Sequence, residues 1–177
     1  IDRREKIQSK LNSSKIKWIP LRYHNKPGLL ATIYDIVVGI IVAGWIVKKH
    51  DIKIIHARSY ISSIIALFFK KTFKTGFLFD MRGFWADERV DAGYWSKDGY
   101  LYKVVKRLER AFLINADCVV SLTHSAVNEM RQFPFLQGKM PNFTIITTCT
   151  DLKLFSPSPM RSIQPDHVLT IGYVGSV

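Results

Sequence analysis

The chain has 177 residues, 47% of them hydrophobic, enough to bury one sizeable core. Lysine and arginine number 26 against 14 aspartates and glutamates, a net charge of +12 with pI near 9.8. Long-range attraction to polyanions follows, with anionic lipid, phosphorylated ligands and nucleic acid as the classes to weigh. The two cysteines, Cys118 and Cys149, lack CxxC or Cys/His spacing, which argues against a structural zinc site or a disulfide framework and suits a reducing compartment.

The N-terminal IDRREKIQSKLN has no apolar signal core, and Ile7 and Leu11, four apart among charges, predict the last turns of an amphipathic helix from Arg3 to Leu11. A turn over Asn12 to Lys15 leads to a strand predicted over Ile16 to Tyr23, with Ile16 and Trp18 inward and Pro20 marking an edge or an end. Leu29 to Val47 is the most apolar segment. Its uninterrupted core, Ile36 to Val47, is short of the roughly 20 residues that span a bilayer, so a buried or face-exposed crossover helix is expected, ended by Lys48, Lys49 and His50. Ile52 to Ala57 then reads as a short buried strand. A helix from Tyr60 to Phe73 follows, with Ser59 as its N-cap and Arg58 at a strand-to-helix junction that favours anions.

Phe77 to Gly93, FLFDMRGFWADERVDAG, opens as an apolar strand and runs straight into Asp80, Arg82, Asp87, Glu88, Arg89 and Asp91 around Phe84 and Trp85. Open α/β sheets bind ligands beyond the carboxyl ends of their strands, so this exit is where a pocket is expected. The plain alternative is a loop whose acids pair with Arg82 and Arg89. Tyr100, Val104, Leu108 and Phe112 share one helix face while Lys103, Lys106, Arg107 and Arg110 crowd the rest, either a solvated face or a surface resting on anionic lipid. Cys118 to Leu122 reads as a strand, Thr123 to Ser125 as the cap of a helix from Ala126 to about Gln132, and Phe143 to Thr147 as a further strand. His124 beside that helix start is either a ligand-facing group or a cap. A Pro- and Ser-rich connector precedes a strand at Val168 to Val174. Strands alternating with helices predict an α/β fold, a Rossmann-like parallel sheet with flanking helices.

Taken in order, HARSY (His56 to Tyr60), DMRGFWADERVDAG (Asp80 to Gly93), RLERAFLINADCVVSLT (Arg107 to Thr123), TTCTDLKLF (Thr147 to Phe155) and IGYVGSV (Ile171 to Val177) resemble the N-terminal half of a family 4 glycosyltransferase. The resemblance implies the incomplete N-terminal half of a GT-B fold. Residues 1–155 would form the acceptor-side domain lacking its first strands, 156–167 the interdomain linker, and 168–177 the first strand of a truncated donor-binding domain. It further implies a retaining enzyme that moves a sugar from a nucleotide-sugar donor to a glycan or lipid-linked acceptor, with no cofactor and no essential metal. The nucleotide-sugar is a substrate.

By the same resemblance, Asp80 and Glu88 would be catalytic, Arg58, Arg82, Asp87, Thr123 and His124 would bind the acceptor, and Gly175 and Ser176 would approach the donor's phosphates. In many relatives a histidine stands where this sequence has Asp80. The implied setting is cytoplasmic, with peripheral contact on the inner face of the cell membrane. The fragment by itself is expected to be inactive, and no nucleic acid partner is expected. The alternative is a non-catalytic basic α/β module that binds an anionic membrane surface, and a metal-dependent phosphate hydrolase is disfavoured because the acids of Asp80 to Asp91 have no spaced partner at another strand end.

Overall fold

A computed structural model of the chain describes residues 3–24 and 26–152. Residues up to Thr147 form one compact unit, and Thr148 opens a second, of which only the first few residues are described. The expected linker at 156–167, the strand at Val168 to Val174, and Gly175 and Ser176 all lie outside the described residues.

The compact unit is a mixed α/β, Rossmann-like fold. Its sheet contains β1 (Ile54–Arg58), β2 (Gly76–Asp80), β3 (Cys118–Ser121) and β4 (Asn142–Ile145), all parallel and in sequence order. Between them run α3 (Ser59–Phe73), α4 (Trp85–Asp91), α5 (Tyr100–Asn115), α6 (His124–Arg131) and a 3-10 turn at Pro134–Leu136; α1 (Arg3–Ser13) and α2 (Gly28–His50) precede them. Parallel neighbours need long crossovers, and apolar residues on one helix stripe are what those crossovers bury.

Register decides which face they cover. Ala57 lies opposite Phe79, and Phe79 opposite Val119; all three belong to the buried core together with Tyr60, Phe112, Leu113, Val127 and Met130 from the helices. Phe79 and Phe112 rings sit 5.4 Å apart, and Tyr60 is 6.0 Å from each. Each fully buried ring contributes about 1.5–3 kcal/mol relative to exposure. The alternate residues, His56, Arg58, Leu78, Asp80, Cys118 and Thr144, fall on the other face, outside that core.

Two ion pairs tie the elements. Asp117, just before β3, accepts from Lys70 Nζ at 2.6 Å and from the Phe77 amide at 2.8 Å, locking α3 and β2 to the entry of β3. Burial acts to raise its pKa, but the lysine and the amide outweigh this and hold the carboxyl below the usual aspartate range. His24 donates its amide to Asp35 at 2.9 Å, and its ring nitrogen lies 2.6 Å from the same carboxylate, which keeps Asp35 below its ordinary value.

Two expectations are corrected. No strand forms over Ile16 to Tyr23; the segment is irregular, with Ile16, Leu21 and Tyr23 exposed, because Pro20 removes a ladder donor and no neighbouring strand offers partners among the described residues. Ser59 is not the N-cap of α3. It is the helix's first residue at φ 70°, Arg58 takes the cap position without a side-chain bond, and the Ser62 and Ser63 hydroxyls donate back to the Arg58 and Ser59 carbonyls instead. The face-exposed helix expected over the apolar segment forms and ends at Lys48, Lys49 and His50: α2 runs 23 residues, long and apolar enough by length and composition to cross a membrane, and of its most apolar 18 residues only 17% are buried.

That low burial has a geometric origin. One face of α2, with Ala31, Gly39 and Val47 buried, packs on α3 so closely that a side chain at Gly39 would begin 2.7 Å from Ile65 Cδ1. The opposite face carries Leu30, Ile33, Tyr34, Val37, Ile41 and Trp45, all exposed.

Candidate functional site

The carboxyl ends of β2 and β3 open into a cavity of about 390 Å³. Met81, Arg82, Gly83 and Phe84 from the exit of β2, and Asp87, Glu88 and Asp91 from α4, form one wall. Ser121, Leu122 and Thr123 from the exit of β3, and Ala126, Glu129 and Met130 from α6, form the other. The cavity therefore lies where an open parallel sheet places ligands, and its volume falls in the range of small-molecule pockets.

Local chemistry explains each wall. The Met81 amide donates to the Val120 carbonyl at 2.9 Å, which carries the β2–β3 pairing one residue past the strand and up to the cavity wall. The Glu88 carboxylate rests directly on the backbone of Gly83, and a side chain there would shift the glutamate head, the far end of a flexible side chain, aside. On the far wall Thr123 is the N-cap of α6, its Oγ1 accepting from the Ala126 amide at 3.1 Å.

Asp87 is anchored from behind. Tyr102 Oη donates to it at 2.8 Å and Lys106 Nζ at 2.9 Å, and Lys106 also donates to Glu109, which is 1% exposed and accepts the Tyr60 hydroxyl on its other oxygen. Burial works against the lysine charge, yet the bonds to Glu109 and Asp87 prevail and hold Lys106 above its ordinary pKa. Tyr60 is pushed far up by burial first and by the Glu109 carboxylate second, so it stays a neutral donor. A relay from the core, Tyr60 to Glu109 to Lys106 to Asp87, thus ends at the cavity wall.

The residues singled out in the sequence divide between two places. Arg82, Asp87, Glu88 and Thr123 line the cavity. Asp80 and Arg58 do not: they are register partners on the opposite face of the sheet, where Asp80 Oδ2 lies 3.3 Å from His56 Nε2. Asp80 and Glu88 are thus not brought into one pocket. His124 is the exposed first residue of α6 and is absent from the cavity lining. The plain loop reading of Asp80 to Asp91 does not describe Arg89 either, which stacks on Trp85 and Tyr94 at 5.8 and 5.4 Å. Sequence reasoning missed Ser121 and Glu129; Ser121 ends β3 two residues before Thr123 and Glu129 lies six residues after it on α6, so only the strand exit at β3 could have pointed to them.

Among the described residues no three His, Cys, Asp or Glu side chains are placed to hold a metal ion. A scan of the chain against protein-family models gives no match, and a search of curated proteins gives none.

Proposed function

We propose that the chain is the acceptor-side half of a retaining glycosyltransferase that uses a nucleotide-sugar donor and a glycan or lipid-linked acceptor. The observation that carries this reading is that the Asp-Met-Arg-Gly-Phe-Trp-Ala-Asp-Glu-Arg run, the most specific part of the resemblance, builds a wall of the cavity at the carboxyl ends of β2 and β3. In this reading Glu88, seated on Gly83, accepts a hydrogen bond from the acceptor hydroxyl and orients it. Arg82, Asp87 and Thr123 shape the acceptor's position. Departure of the donor's diphosphate develops negative charge, which fixed cationic and backbone N–H donors stabilise best in a water-excluded site. Asp80, on the other sheet face, acts outside the acceptor cavity.

The test is a transfer assay on the polypeptide containing this chain, with a panel of nucleotide-sugars and mass spectrometry of extracted acceptors. Glu88→Gln is expected to lower turnover by about 10²-fold or more, the scale of a lost proton-accepting group. Transfer that survives Glu88→Gln unchanged removes the residue from the mechanism, and the absence of transfer from every donor sinks the reading.

A second reading, a basic module that docks on an anionic membrane surface, is favoured by one observation, the exposed apolar face of α2 beside Lys48, Lys49 and His50. Its signature is vesicle binding that depends on both anionic lipid and that face.

A further inference from the structure

A second hollow, also of about 390 Å³, lies between α5 and the Pro134–Leu136 turn. One bank is aromatic, with the Phe133 and Phe135 rings 5.3 Å apart. The other is α5, which brings Lys103, Lys106, Arg107 and Arg110 to the groove. These cations stand three and four residues apart, spacings at which like charges work against a helix. The only carboxylate on α5, Glu109, does not relieve them, because it is buried and taken up by Tyr60 and Lys106. Lys106 is further bonded to Asp87. Lys103 and Arg107 have no hydrogen-bonded or charged partner among the described residues, and Arg110 has the Phe135 ring alone, at 5.2 Å.

Three uncompensated cations beside two aromatic rings select an amphiphile with an anionic group. The anion relieves the repulsion along α5, and hydrocarbon covers the rings. Arg107 and Arg110 are near neighbours on the helix surface, so both guanidinium forks reach one phosphate group, which they match in a bidentate way. The row from Lys103 to Arg110 spans about 10 Å of helix, room for one phosphate or diphosphate and short for a strand of nucleic acid. The groove also adjoins the cavity at β2 and β3. Tyr102 and Lys106 line the groove and donate to Asp87, which lines the cavity, so the two spaces lie on either side of one side-chain cluster.

We propose that this groove binds a phosphate or diphosphate group carried on a hydrocarbon chain, with Arg107 and Arg110 on the phosphate oxygens, Lys103 as a further charge, and Phe133 and Phe135 against the first methylenes. As a statement that the acceptor is lipid-linked, with its sugar in the neighbouring cavity, this rests on the transferase reading; as a statement about binding, it stands without it.

The experiment is a titration of the ¹⁵N-labelled chain with octyl phosphate, octyl glucoside and inorganic phosphate, each below any micelle concentration, followed by amide shifts. Octyl phosphate is expected to move amides at 102–110 and 133–136 and to bind about tenfold more tightly than either of the others. Arg107→Gln and Arg110→Gln each weaken it about 3- to 10-fold, whereas Lys17→Gln with Arg22→Gln, which removes two charges elsewhere, does not. Phe135→Ala narrows the preference for octyl phosphate over inorganic phosphate. Dispersed spectra establish that each variant is folded. Inorganic phosphate or octyl glucoside binding as tightly as octyl phosphate, tighter binding of an oligothymidylate at the same amides, shifts confined to 30–45, or equal losses from the distant charge pair overturns the proposal. Octyl phosphate binding here without transfer from any nucleotide-sugar leaves it standing and sinks the transferase reading; transfer that treats lipid-linked and lipid-free acceptors alike, with no shift in these segments, does the reverse.

Discussion

His56 Nε2 stands 3.3 Å from Asp80 Oδ2 across the β1–β2 pair, on the face of the sheet opposite the buried core. The aspartate side chain is 14% exposed and the histidine 59%, so the imidazole covers the carboxylate from the solvent side. A pair this open is screened, and a double-mutant cycle with His56→Ala and Asp80→Asn in urea denaturation is expected to give a coupling below about 1 kcal/mol. A larger coupling would make the pair a structural clamp between β1 and β2.

Glu109 is the stronger structural residue. Its carboxylate is buried on α5 and receives both the Tyr60 hydroxyl and the Lys106 ammonium. Glu109→Ala strands a buried hydroxyl and a half-buried ammonium, at a cost of about 2–3 kcal/mol, below the range for a fully buried pair because Lys106 keeps Asp87. The midpoint of chemical denaturation reads this directly. The sign of the pH effect follows from the raised lysine pKa: the Lys106 contribution is fully present below the unfolded lysine value near 10.4 and is lost as pH rises through the folded value above it. The gap between wild type and Glu109→Ala therefore narrows at strongly alkaline pH by the Lys106 share, while the part due to the Tyr60 hydroxyl remains.

Asp117 works at the acid end. Its folded pKa lies below 3.8, so its stabilisation is present above the unfolded value and lost as pH falls through the folded one. The side chain is 55% exposed, so screening limits the effect to less than about 1 kcal/mol. Asp117→Asn is expected to cost stability above about pH 5, a cost that shrinks as pH falls through the folded pKa. An acid titration of both proteins checks it, and added salt should narrow the gap.

The fold was legible where a single rule governs. Apolar runs such as FLF and CVV, each followed by a helical stripe, could only be buried strands with crossovers, and β1 to β4 lie within one or two residues of those runs. Ile16 to Tyr23 was misleading because its alternation has the strand period, while pairing depends on a neighbour that sequence does not display. Ser59 misled differently: serine is a common cap, but here the chain turns sharply out of β1, and positive φ at Ser59 makes that turn. The site divides in the same way. Strand exits marked Arg82 to Glu88 as a wall, but which side of the sheet Asp80 faces is a matter of parity. Asp80 shares the parity of Leu78 and so parts from Met81 and the cavity. The compensation of Asp87 from Lys106, 19 positions away, is a tertiary fact with no local signature.

The exposed face of α2 permits a decisive measurement. Leu30, Val37, Ile41 and Trp45 are 67%, 48%, 67% and 54% exposed, a continuous stripe on a helix about 34 Å long, which exceeds the roughly 30 Å hydrocarbon core. Lys49 lies 4.4 Å from the Trp45 ring, placing an aromatic and a cation together at the helix end, where headgroups would meet them. Burying such a stripe in lipid gains about 25 cal/mol per Å² of apolar surface removed from water. Ile41→Asp should therefore reduce flotation with vesicles containing anionic lipid by tenfold or more. It should leave folding intact, since Ile41 lies opposite the face packed on α3. Lys48→Gln with Lys49→Gln should instead weaken binding in a way that salt mimics, about 1 kcal/mol for each charge near the surface. If Ile41→Asp floats like wild type, lipid does not cover this stripe. If it instead turns an oligomer into a monomer, a second copy does, and the membrane reading falls.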